Sequence, residues 1–436
     1  MTIIKRVRIM LEPLALAAAS LFVIAADVNS AHGADPGVPI HRGIGISQVM
    51  NWARVEPGPA MQFAFPPFPE QSQALALDQL RTLQRTGFDF VRLAVDPGPF
   101  LQFQGQRRDA LDRILMDRVN LILAAGLAVI VDFHPSEAHP DYTAKVLTAG
   151  VETSIFQAYL RLLARTADLL DGLNSDSVAL DLMNEPPVHP AAWQLMLEAA
   201  YAAVRHRSTR LRLVLESGEE ASTRALLAMR TAALADDPAV LFSFHYYDPY
   251  QFTHQGAPWN DARHLADVPY PALARPLTES LAATAAAIAK TGLTQPQKIQ
   301  AYRDAQGRLE DYRRSGFDRG TIDRTFDRVA DWARTQGVPP SRVLLGEFGA
   351  RETELQAFGG RAAERAQWLR DVRQAAEAHG FRWAVWTYRD TGGFALVSSE
   401  TSNEIKPALA DALGLKSAPH AERSLDHQSA ASAAKQ

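Results

Sequence analysis

Two glutamates, Glu185 and Glu347, carry the sharpest chemical signal in this sequence of 436 residues. Glu185 sits in Met183-Asn184-Glu185-Pro186 and Glu347 in Gly346-Glu347-Phe348-Gly349, each at the end of an apolar run. Two carboxyl groups facing one substrate can cleave a glycosidic bond. One protonates the leaving oxygen, and the other attacks the anomeric carbon or activates water. One glutamate alone would point to a salt bridge. Asn184, next to Glu185, adds an amide able to hold a sugar hydroxyl. Other apolar runs end in the same manner: Arg92, Asp132-Phe133-His134, Glu216, His245-Tyr246-Tyr247, and Trp383, Trp386 and Tyr388. Ordinary polar caps do not account for two glutamates, two histidines, an arginine and tryptophans at equivalent positions.

Other chemistries fit less well. The chain has no cysteine, which excludes disulfides, thiolate metal sites and cysteine nucleophiles. No Gly-x-Ser-x-Gly elbow, HExxH helix or Walker-type loop occurs. His134, Glu137 and His139 are spaced like metal ligands. The simpler reading leaves His134 as a strand-end residue and puts the other two on a loop surface, so no metal and no cofactor is expected. A net charge of −4 speaks against nucleic acid as a partner. With 47% hydrophobic and 22% charged residues, the composition is that of a folded globular chain.

Eight β-rich runs position these residues: 43–47, 90–95, 128–133, 178–183, 211–216, 240–245, 342–347 and 381–386. Ala-Val-Ile-Val at 128–131 is continuous, as suits a strand buried on both faces. Amphipathic stretches lie between the runs. Ala110, Leu111, Ile114, Leu115, Val119 and Ile122 repeat at helical spacing, as do Ile322, Phe326, Val329 and Trp332. Strand–helix alternation means parallel βαβ units. Eight units predict a closed (β/α)8 TIM barrel, whose active site lies at the C-terminal ends of the strands. Strands four and seven face each other across such a mouth, so Glu185 and Glu347 can meet. An open sheet of Rossmann type would need a Gly-rich first turn, and only Gly43-Ile44-Gly45 is present.

Lys5, Arg6 and Arg8 precede an apolar run from Leu14 to Ala26. This predicts a signal peptide over 1–34, hence a secreted or periplasmic protein with no membrane association after cleavage. The barrel is expected over 35–416 and a polar, disordered tail over 417–436. No internal repeat is found. The longest irregular stretch, about 248–320, reads as an insertion between strands six and seven on the catalytic face, its charged part being a solvated helix face. Trp193, Trp332, Trp368 and Trp383 read as core.

The order Arg92, His134, Asn184-Glu185-Pro186, His245-Tyr246-Tyr247, Glu347 and Trp386 resembles the family 5 glycoside hydrolases, the cellulase-like members of the retaining clan A barrels. The resemblance runs from about Arg42 to Gly414. Phe252-Thr253-His254-Gln255-Gly256-Ala257-Pro258-Trp259 also resembles bacterial secreted members. The resemblance implies Glu185 as acid/base and Glu347 as nucleophile, with Arg92 keeping Glu347 ionised and Tyr247 touching it. It implies His134, His245 and Asn184 as sugar-hydroxyl ligands and Trp386 as the sugar platform, with Trp259 or Trp52 extending it. The first strand lacks the family's usual Gly-x-Asn. The implied activity is an endo-β-1,4-glucanase acting on β-glucan as a monomer. β-1,4-Mannanase and β-1,3-glucanase are the alternatives, and a non-catalytic polysaccharide-binding protein tied to exopolysaccharide export is the alternative of another class.

Overall fold

The computed structural model describes residues 40–58, 61–68, 75–352, 360–397 and 403–416. The expected signal peptide and tail lie outside the described residues. Eight strands form one closed parallel barrel in sequence order. They are β1 (Arg42–Met50), β2 (Phe90–Val95), β3 (Ala128–Phe133), β4 (Val178–Asp181), β5 (Arg212–Glu216), β6 (Val240–Tyr246), β7 (Val343–Phe348) and β8 (Arg382–Val385). β8 closes the ring on β1 through Arg42↔Trp383 and Ile44↔Val385. The sequence places all eight strands within a few residues of their ends. β1 is longer than expected, and β4 and β8 are shorter.

Strand periodicity sorts the side chains into two layers. Phe90, Ile130, Ala179, Val214, Leu241, Leu344 and Ala384 pack together as a small cluster inside the barrel. Their neighbours Val91, Val129, Leu180, Leu213, Phe242 and Leu345 belong to the large cluster shared with the surrounding helices. The helix Arg319–Thr335 shows why it docks: Ile322, Phe326, Val329 and Trp332 are all buried. Burying each is worth about 1.5–3 kcal/mol. Trp193, Trp368 and Trp383 are buried as well.

Two residues beyond the inner apolar layer, at the same strand parity, stand Arg92, Asp132, Asp181, Glu216, Ser243 and Gly346. A charged floor therefore rests on an apolar plug. One irregularity breaks the alternation. β6 pairs with β7 as Phe244↔Leu345 and then as His245↔Glu347, so Gly346 is an extra residue on β7. A bulge of this kind re-aims the next side chain. Here it brings Glu347, which strict alternation from Leu344 would point at the helices, to the inside. The bulge needs a glycine, because a methyl at Gly346 would come within 2.5 Å of Ser243 Oγ and 3.0 Å of His245 Nε2.

The segment between β6 and Arg319–Thr335 is largely helical. After the short turn Tyr250–Thr253 it forms helices Leu277–Ala289 and Gln295–Ser315, which pack on each other. The second buries Ala301, Ala305, Leu309 and Tyr312 and exposes most of its charged residues. Tyr270 Oη donates to Asp371 (2.8 Å), and Arg275 pairs with Glu364 (3.0 Å). Both partners lie on the helix after β7, Gly360–Ala378. Among the described residues no helix is long and apolar enough to cross a membrane.

Candidate active site

Arg92 is the centre of the charged floor. It is fully buried, with Nη1 2.6 Å from Glu347 and 3.1 Å from Asp132, and Nη2 2.7 Å from Glu216 and 3.1 Å from Asp181. Nη2 also donates to Asn184 Oδ1 at 2.9 Å. One guanidinium thus orients four carboxyl groups and an amide from four other strands or their ends. Removing one member of such a buried cluster costs about 3–5 kcal/mol, because the remaining charges stay desolvated.

Glu347 lies on this floor, with its side chain 5% exposed. Its second oxygen accepts the Tyr247 hydroxyl at 2.7 Å. Burial holds the Glu347 carboxyl above its ordinary value, while His245 and Arg92 pull the other way. Arg92 acts in the expected direction, but desolvation outweighs the two cations. Burial, followed by the Glu347 charge, pushes the Tyr247 phenol well up and keeps it a donor.

Glu185 stands higher, on the turn after β4, with its side chain 35% exposed. Its backbone is left-handed (φ 46°), a conformation that costs a non-glycine residue of order 1–3 kcal/mol and must be held by its surroundings. Glu216 Oε2 accepts the Glu185 N–H at 2.7 Å. One oxygen of Glu185, one of Glu347 and one ring nitrogen of His245 lie within 4.8 Å of one another. As donors these three could face a divalent cation, but His245 Nδ1 already engages Glu185 at 2.9 Å and Arg92 already neutralises Glu347. The set suits protonic chemistry better than a metal.

His245 has both nitrogens turned to carboxylates: Nδ1 to Glu185 (2.9 Å) and Glu347 (3.7 Å), Nε2 to Glu216 (3.0 Å). Neither is left for a sugar hydroxyl, the contact expected of it. Burial disfavours the charged ring, but Glu216 and Glu347 outweigh it and hold its pKa well above the ordinary value. Burial by itself would raise Glu216; His245 and Arg92 override it and hold that carboxyl at about 2. Asp181 behaves oppositely. Burial and then the Glu216 charge push it well above its ordinary value.

His134 lies at the cleft wall, its Nδ1 3.0 Å from Asp132 and its Nε2 3.4 Å from Asn184 Nδ2. Its ring is parallel to Trp386, with centroids 5.4 Å apart and 10° between planes. Trp386 is partly exposed and is held by backbone bonds from its own N–H to Phe348 and from Tyr388 to Gly45. Trp259 is 56% exposed, and its Cη2 lies 3.2 Å from the Cβ position of Gly392, in the loop after β8. Trp52 is 59% exposed on the loop after β1. His139 is buried, not on the surface; it caps the turn Pro140–Tyr142 and packs against Phe63 and Tyr142.

The Thr253-His254-Gln255 motif forms the wall beside Tyr247. His254 stacks on Tyr250 (centroids 3.8 Å, 6°) and meets Tyr247 edge-on at 5.0 Å. Thr253 Oγ1 donates to the Tyr247 carbonyl at 2.5 Å. The sequence shows Asp132 and Glu216 at strand ends without assigning them a role in the site, and it does not single out Asp181. A signal for them exists in the sequence: each follows, two positions on, an apolar residue of a strand buried on both faces.

The chain spans about half the length of the first curated relative it matches. That relative is Endoglucanase 3 of Fibrobacter succinogenes, 23% identical over 371 residues, covering 80% of this chain and 50% of that one. Endoglucanase H of Acetivibrio thermocellus is 22% identical over 296 residues, covering 66% of this chain and 24% of that one. The crystal structure of endoglucanase Cel5A from Thermotoga maritima shares the fold, with a TM-score of 0.59 at 18% identity, covering 86% of this chain and 96% of that one. Residues 68–392 match the family model described as cellulase (glycosyl hydrolase family 5). With a barrel of this topology and a match over most of its length, the chain belongs to glycoside hydrolase family 5.

Proposed function

We propose that this protein is a retaining endo-β-1,4-glucanase. The observation that carries the reading is the approach of Glu185 and Glu347, whose nearest carboxylate oxygens lie within 4.8 Å. Retaining glycosidases hold their carboxyl groups about 5–5.5 Å apart, and inverting ones leave about 6.5–9.5 Å for a water. Membership of the cellulase family and relatives named endoglucanases support the substrate class.

In the first half-reaction Glu185 gives its proton to the glycosidic oxygen while a Glu347 oxygen attacks the anomeric carbon. The glycosidic bond breaks and a glycosyl ester forms. In the second, Glu185 takes a proton from water, the hydroxide attacks the same carbon, and Glu347 leaves as carboxylate. Exposure suits these roles: Glu185 meets solvent and leaving group, whereas Glu347 is deep and clamped by Arg92 and Tyr247. Asn184 and His134 face the sugar beside Trp386, and Trp259 extends the surface. We also propose export, from the basic and then apolar run at residues 5–26.

The test is reducing-sugar release from a panel of soluble β-1,4-glucan, β-1,3-glucan, mannan and xylan, with proton NMR of the first anomer formed. The expected result is β-1,4-glucan cleavage with the β-anomer first. First appearance of the α-anomer would overturn retention, and preference for another polymer would overturn the substrate.

A further inference from the structure

Glu216 is fully buried at the end of β5, with none of its surface open to solvent. Its carboxylate is nevertheless the point at which the catalytic floor is tied together. Oε1 accepts from Arg92 Nη2 (2.7 Å) and faces His245 Nε2 (3.0 Å), and Oε2 accepts the Glu185 N–H (2.7 Å). The Glu216 carbonyl accepts Trp193 Nε1 at 2.8 Å, which anchors the strand end to the helix Pro190–Arg205.

We propose that Glu216 is a positioning residue: its carboxylate holds His245 as an imidazolium between Glu185 and Glu347 and clamps the backbone turn that presents Glu185. The inference rests on the glycosidase reading above.

The argument is one of hydrogen-bond satisfaction. All three partners of Glu216 are donors: a guanidinium, a ring nitrogen and a backbone amide. Only a group with acceptors on both oxygens serves them all, and an ionised carboxylate is that group. A glutamine must turn an NH2 toward donors on one side. Facing Glu185, it releases the strained turn. Facing His245 and Arg92, it loses the Arg92 hydrogen bond outright and can bond Nε2 only if that nitrogen loses its proton. The charged groups around His245 come from several elements: Glu216 on β5, Glu185 after β4, and Glu347 on β7. Arg92 on β2 lies just beyond, with Asp181 on β4, Asp132 on β3 and Tyr247 after β6. His245 Nδ1 faces both Glu185 (2.9 Å) and the second oxygen of Glu347 (3.7 Å). Loss of its charge removes a contribution that lowers the Glu347 pKa.

The test compares Glu216→Gln and Glu216→Asp with the wild-type chain. In Glu216→Gln, kcat on β-glucan should fall about 100-fold, within the range of lost acid–base positioning, with KM changed less than about twofold. The acid limb of its pH–rate profile should move up by about one unit, the low end of what a neighbouring charge does. Glu216→Asp keeps the charge and should restore the wild-type pH profile, even at reduced kcat. Nitrogen-15 NMR of labelled histidine, on protein without substrate, should show His245 doubly protonated at pH 7 in wild type and singly protonated in Glu216→Gln. Unchanged kcat and pH profile in a folded Glu216→Gln would overturn the proposal. So would a neutral His245 in the wild type, which decides the matter even if Glu216→Gln does not fold. A wild-type chain with no glycanase activity but with the expected histidine spectra would sink the functional reading and leave the charge assignment standing.

Discussion

Trp386 lies flush against Gly45: a methyl on that glycine would stand 2.7 Å from Trp386 Cε3. Real carbon contacts are not that close, so the indole or β1 would have to shift. Gly45→Ala is therefore expected to displace the indole from its parallel stack on His134. Turnover should fall at least as much as KM rises, and thermal stability should change little, because the indole is already partly exposed. An unchanged kcat/KM in Gly45→Ala would separate the indole's position from catalysis.

Glu347→Gln should abolish turnover on every substrate, because an amide of the same shape cannot form the glycosyl ester. Glu185→Gln should depress the polymer much more than aryl glycosides with good leaving groups, for which protonation matters least. Steady-state rates on both substrate classes check this. Equal loss on both would remove Glu185 from the acid role.

The activity should have a high acid limb. Burial sets Glu347 above the ordinary 4.5, in spite of His245 and Arg92. The nucleophile works only when ionised, so kcat/KM should fall as pH drops through a value above 4.5. A profile still flat at pH 4 would show that the cations outweigh burial.

His254 predicts a stability change over a defined pH window. Burial, with Arg351 nearby, lowers its pKa from the ordinary 6.5 to about 4. A histidine kept neutral by the fold stabilises fully above pH 6.5. That stability is lost progressively as pH falls toward 4, because the unfolded chain binds the proton first. The full effect is on the order of 3 kcal/mol. His254→Gln should be less stable at pH 7 but should lose less stability between pH 6.5 and 4. Parallel melting curves for the two proteins across that window would be the contrary result.

Trp259 is placed to lengthen the sugar surface, since it is exposed and rests beside Gly392 in the loop that follows Trp386. A flat indole buries a large apolar area at low entropic cost. Trp259→Ala should weaken a hexasaccharide more than a disaccharide in calorimetric titration. Equal losses would return this residue to a role in its own loop.

The sequence by itself determined the barrel, because eight apolar runs separated by amphipathic helices admit few other ways to bury both faces of every strand. It also determined which residues stand at the mouth, because strand ends are legible from where the apolar runs stop. Glu185, Glu347, Arg92, His134 and Trp386 were visible for that reason.

Three things were decided only by tertiary structure. The extra residue Gly346 turns Glu347 inward, and a bulge is a property of two strands' register, which neither strand carries alone. The net charge state of the floor depends on desolvation summed over Arg92, Asp132, Asp181, Glu216 and Glu347, which come from five different strands. That sum set Glu347 against the direction expected from Arg92 alone and turned His245 from a sugar ligand into a bridge between carboxylates. The role of Glu216 stayed hidden for the same reason: a strand-end glutamate shows no partners in sequence until the closed barrel brings a guanidinium, a ring nitrogen and a backbone amide to it.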